Sequence, residues 1–196
     1  MTWRNITLNQ WNKITALENQ KLDEIERSAR IIEIVFNIED AMDLTPEEFA
    51  KKVKELEFIK EQIPETKLLD AYNINGTKYI LNGNVFEWTM SMLMDYRKAA
   101  QEDSLKGMFS CFMIPEGKKY NTDYNIEKAE EDMGDLPITD VMAIQNFFVK
   151  SWRVCTTLSI DYLKQLMMKT STSKEKKLEI QKKLTTLEVL LQNMTF

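Results

Sequence analysis

Apolar residues recur at spacings of three and four along most of this 196-residue chain. That period belongs to helices with one buried face. Leu8, Trp11, Ile14 and Leu17 share such a face, and Thr7 with Gln10 three residues on forms a capping box in front of it. Leu22, Ile25, Ala29, Ile32 and Phe36 repeat in the same way and predict a second helix over 20–37. Thr45-Pro46-Glu47-Glu48 joins a cap, a proline at the first helical position and acids in the first turn. Leu44 and Phe49 are spaced for a hydrophobic staple across that start. The helix is expected to run to about Gln62, because a residue before Pro64 avoids helical geometry.

The pattern changes over 69–81, where apolar and polar positions alternate around Asn75-Gly76. A two-residue type I′ turn needs positive φ at both positions, which Asn and Gly tolerate. That turn pairs Ile74 with Thr77, Tyr72 with Tyr79 and Asp70 with Leu81 on one face, and Ala71 with Ile80 and Asn73 with Lys78 on the other. A lone hairpin is marginal in water, so it needs helices or a third strand, and Thr2 to Ile6 is the candidate for that strand.

Helical spacing then returns. Asn84 and Glu87 read as a cap for a helix ringed by Val85, Phe86, Trp88, Met90, Met92, Leu93 and Met94, which marks it as buried. Leu105, Met108, Phe109, Phe112 and Met113 fit a short buried helix, with a strand over 108–114 as the alternative that periodicity leaves open. Residues 118–135 are polar, acidic and poor in aliphatics, and are expected to form a mobile loop with a short helix at Ile126 to Met133. From Thr139 a long helix carries Val141, Ile144, Phe148, Trp152, Cys155, Tyr162 and Leu166 as one stripe. After Thr170-Ser171-Thr172-Ser173, a last helix carries Ile180, Leu184, Leu187, Leu191 and Met194 as a heptad seam. The fold class is thus mainly α: a helical bundle with one small antiparallel hairpin and a C-terminal helical hairpin. The division is an acidic helical part at 1–136 and the hairpin at 137–196, packed together as one domain. Trp88 and Trp152 are expected inside and Trp3 nearer the surface.

Composition sharpens this picture only slightly. The hydrophobic and charged shares, 43% and 29%, are those of a globular chain, not a disordered one. No run of eighteen apolar residues suggests a membrane span, and no basic head with an apolar segment suggests a signal peptide. Residues 145–196 carry nine Lys/Arg and four Asp/Glu, against a net charge of −5 for the whole chain. Those basic residues are mixed with acids on one helix, without an arginine cluster, so a solvated face fits better than a nucleic-acid surface.

Chemistry is scarce. The chain has no histidine, which removes His-based nucleophilic pairs and most zinc sites. Cys111 and Cys155 lie far apart in apolar contexts and read as free thiols. No glycine-rich phosphate loop occurs. Asn121, Asp123, Asn125, Glu127 and Asp132 match a calcium-loop template, but Ile126 stands where the sharp turn needs glycine. Glu130-Glu131-Asp132 reads as a solvated charge run. The expectation is a protein without catalytic residues, cofactor or metal.

Three segments in order carry a resemblance: "ITLNQWNKI", "INGTKYILNGNVFEWTMSMLMDY", and "IPEGKKYN" followed by "DLPITDVMAIQNFF". Asn75-Gly76-Thr77-Lys78-Tyr79, Leu136-Pro137-Ile138-Thr139 and Phe147-Phe148 resemble the short hairpin, turn and double phenylalanine of tail-assembly-chaperone-like and related small morphogenesis proteins of tailed bacteriophages, crAss-like phages included. The resemblance implies a non-enzymatic morphogenesis protein in the host cytoplasm during phage assembly, binding an apolar segment of a phage virion or tail protein. Residues expected to meet a partner are Met90, Met94, Tyr72, Tyr79, Leu184, Leu187 and Leu191, with self-association through the C-terminal helix as a further route. The alternatives are a structural virion protein, as connector ring component or internal cargo, and a nucleic-acid-binding regulator.

Overall fold

The computed structural model describes residues 1–84, 87–168 and 174–193, and within its helices the side chains of 152, 155, 174 and 190–193 are outside the description. The described residues form a mainly α protein with a small three-stranded antiparallel sheet. The chain divides into two compact units, Met1–Ala143 and Ile144–Phe196.

In the first unit, α1 (Leu8–Ala16) starts where Thr7 and Gln10 cap each other reciprocally. The Gln10 amide also donates to the carbonyls of Ile34 and Val35, at 3.2 and 3.3 Å. One side chain thereby closes the start of α1 and the end of α2 (Glu24–Phe36). That second helix begins four residues later than its apolar spacing predicts. The Asp23 carboxylate takes the N–H groups of Ile25 and Glu26, and Glu26 returns the bond, so the cap outweighs the apolar repeat. Ile25 consequently sits in an exposed first turn, while Ala29, Ile32 and Val35 face inward. The third helix, α3 (Pro46–Glu55), starts at the Thr45–Glu48 box as expected. It stops well short of Gln62, passing into a 3-10 turn at Glu57–Lys60.

Strands β1 (Ala71–Ile74) and β2 (Thr77–Leu81) form the hairpin with the register expected. Asn75 and Gly76 take φ of 49° and 79°, the left-handed geometry the turn requires. The third strand is not Thr2–Ile6. It is β3 (Met113–Pro115), antiparallel to β2, with Ile80 opposite Ile114 and Leu81 opposite Met113. Trp3–Asn5 forms a 3-10 turn instead, and its Trp3 is buried against the edges of Trp11 and Phe58, at 5.5 and 5.4 Å. Trp3 is therefore a core residue, contrary to its expected place near the surface. Aromatic packing offsets an indole N–H that has no hydrogen-bond partner.

The stretch left open between helix and strand is both in turn: α5 (Leu105–Phe112) runs straight into β3. Before it lies α4 (Met90–Gln101), capped by Thr89 and not by Asn84. Val85 and Phe86 lie outside the described residues. The short helix α6 spans Ile126–Met133 as expected, but Ala129, Asp132 and Met133 are buried, so this segment is part of the packed unit. Backbone bonds from Leu8 to Leu136, Asn9 to Gly134 and Ile138 to Ile6 tie the segment after α6 to the start of α1.

The long helix α7 (Ile138–Met168) crosses from the first unit into the second, which it forms with α8 (Lys174–Asn193). The single stripe expected along α7 does not persist. Val141, Ile144 and Phe148 are buried, but further on Thr156 and Ile160 are the buried positions and Tyr162 is exposed. These later buried positions lie about 100° round the helix from Val141, Ile144 and Phe148, on the part of α7 where Lys164 pairs with Glu188 of α8 at 3.3 Å. The heptad seam of α8 faces inward at Leu184. Trp152, Cys155 and Leu191 fall on side chains outside the described residues, and so does Met194.

Candidate partner-binding surface

The hairpin does not end in a recognition face. Tyr79 on β2 is 2% exposed, and its hydroxyl donates to Asp132 of α6 at 2.6 Å. Asn75 in the turn donates to the other Asp132 oxygen and to Asp135, each at 2.9 Å. Burial and then the adjacent carboxylate push the Tyr79 phenol well above its ordinary pKa. Tyr72 on β1 is also buried, and its hydroxyl accepts from the Leu69 N–H at 3.1 Å. Both tyrosines, expected to meet a partner, are interior: Tyr79 ties the hairpin to α6, and Tyr72 closes on the segment that leads into β1. The charge run at Glu130-Glu131-Asp132 is likewise not wholly solvated, because Asp132 is the acceptor of this buried network. Both Asp132 oxygens are engaged there, and the Asn125 oxygen caps α6, so these members of the calcium-loop pattern serve the fold.

Around α4 and α5 the packing is aromatic. The Trp88 ring stacks on Phe112 with centroids 5.6 Å apart, and its N–H donates to the Asn82 carbonyl at 3.0 Å. Tyr96 meets Trp88 edge-on at 5.5 Å. These contacts hold α4 by the side that carries Met92 and Ala99, both buried. Gly107 of α5 lets that side come close: a Cβ there would lie 2.9 Å from the Ala99 Cβ. Beneath lies a second polar group, in which Tyr120 donates to Asp95 at 2.8 Å and lies 3.8 Å from the Cys111 sulfur. Burial raises the Cys111 thiol to about 11 and the Tyr124 phenol to about 12. A thiol held protonated is a poor nucleophile.

The other side of α4 is different. Helical geometry puts Met90, Leu93 and Met94 within an arc of about 100°. Met90 is 74% exposed, Met94 60%, and Leu93 is exposed between them. The expectation of a helix buried all round therefore fails: α4 is held on one side and presents apolar side chains on the other. Arg97 and Gln101, also exposed, continue that face by a further two turns. Spacing alone carried no sign of this, because apolar residues occupy both sides of the helix.

In the second unit, Leu184 is buried and Leu187 is partly covered, so both contribute to the seam of the hairpin. Lys164, Met167, Met168, Gln181, Leu184 and Glu188 line a groove of about 340 Å³ there. Among the described residues no group of three or more acids or cysteines is placed to hold a metal ion, and no helix is long and apolar enough to cross a membrane.

No family model, curated protein or solved structure matches the chain.

Proposed function

We propose that this chain is a non-enzymatic morphogenesis protein of a tailed bacteriophage, which holds an apolar segment of a virion or tail protein on the outer face of α4 while the particle is built in the host cytoplasm. The observation that carries the reading is the exposure of Met90, Leu93 and Met94 together on a helix anchored from behind by Trp88, Tyr96 and Phe112. Contiguous apolar side chains at a surface mark interaction sites. Methionine suits a client that is not yet folded, since its unbranched thioether adapts to varied apolar shapes. The motif resemblance of the hairpin, the Leu136-Pro137 turn and the double phenylalanine supplies the phage context.

Quantitative mass spectrometry of purified particles tests this reading. An assembly factor is expected to be abundant in infected cells and missing from the particle. Stoichiometric copies in the particle would instead favour a structural virion protein, a reading to which the exposed apolar side chains of α7 and α8 lend support.

A further inference from the structure

The second unit carries apolar residues on two opposite sides of α7. Thr156 and Ile160 are buried on one side. On the other, Val154, Leu158 and Tyr162 each expose about three-fifths of their surface, and Met168 exposes four-fifths. With Phe147, partly exposed, these residues fall within an arc of about 120°. A stripe of this length on the side of a helix turned from its own packing is a mate-seeking surface.

The charges beside the stripe say what the mate is. Lys150 and Asp161 are both exposed, lie along the same edge of the stripe's arc, the edge that Met168 also marks, and are about three turns apart. Neither has an ion pair within the chain among the described residues. In an antiparallel helix pair related by a twofold axis, each flank meets the same flank of its mate. An axis beside residues 155–156 sets Val154 against Leu158 of the second copy and Lys150 against Asp161 of the second copy. The symmetry then repeats each pair, giving two ion pairs around one apolar patch, the self-complementary pattern of an isologous interface. We propose that a second copy of this chain docks there, antiparallel, through the outer face of α7. The inference stands apart from the α4 reading, and differs from self-association through α8, whose seam already faces its own hairpin.

Sedimentation equilibrium of the full chain tests it. The wild type is expected to form a dimer. Lys150→Glu and Asp161→Lys each turn two attractive pairs into two repulsive ones, so each is expected to weaken the dimer about tenfold or more. The double variant restores opposite charges across the axis and is expected to return to within about threefold of wild type. Leu158→Asp is expected to leave a monomer with unchanged circular dichroism. A wild type that stays monomeric at about 100 μM would overturn the proposal. So would a dimer indifferent to both single reversals, or one that the double reversal fails to restore.

Discussion

At the scale of single residues, the fold depends on a few side chains whose partners are distant in sequence. Tyr79 and Asp132 are 53 positions apart, yet their 2.6 Å bond pins the hairpin to α6. Tyr79→Phe keeps the ring and removes the donor, leaving a buried carboxylate short of one partner. A loss of about 1–3 kcal/mol in urea denaturation is expected. Gly76 has φ of 79° and no atom within 4 Å of a would-be Cβ, so Gly76→Val pays in backbone strain and not in clash. It is expected to lower stability by about 1–3 kcal/mol in the absence of any partner. Cys111 gives a pH-dependent readout. Its folded pKa of about 11 exceeds the ordinary 9.0, so the folded chain keeps a proton that the unfolded chain releases. The stability this contributes is complete below pH 9 and declines as pH rises toward 11. At pH 8, alkylation of Cys111 by iodoacetamide, followed by peptide mapping, is expected to be slow in the folded chain and fast in denaturant. The Thr7 and Thr45 caps and the Asn75-Gly76 turn were legible because each is decided within four residues, whereas the Asp23 and Thr89 caps were passed over in favour of the apolar repeats beside them. The Tyr79–Asp132 bond was not, since nothing local distinguishes a buried acceptor from its solvated neighbours Glu130 and Glu131.

At the scale of elements, the starts of α1 and α3 and the hairpin register followed from sequence, while the starts of α2 and α4 and the hairpin's neighbours did not. β2 needed a third strand, and Thr2 to Ile6 was the segment expected to supply it. The actual strand is the three-residue continuation of α5, so short that it cannot display alternation. A proline at Ile114 is expected to destabilise the sheet, whereas one at Thr2 is expected to leave it intact; thermal melts of the two variants would separate the alternatives. The outer face of α4 was hidden by a related ambiguity. A helix apolar on all sides reads as buried, but the same composition also describes a helix with one side on the core and the other offered to a partner. Substituting Met90 and Met94 together by Asp is expected to change stability by no more than about 0.5 kcal/mol, as at exposed positions generally. If α4 were a core helix, the same double substitution would cost several kcal/mol.

At the scale of the molecule, the first unit supplies a packed scaffold with an apolar face left outside, and the second a helical hairpin with its own exposed stripe. The central claim is that α4 receives an apolar segment of a virion or tail protein. Its most direct test is photo-crosslinking in infected cells, with a photoreactive residue placed at Met94 and, as control, at exposed Lys54 on α3. The account expects a covalent adduct at position 94, absent at position 54, whose partner is identified by mass spectrometry as a virion or tail protein of the same phage. Adducts identical at the two positions, or none at position 94 beyond the chain itself, would contradict it.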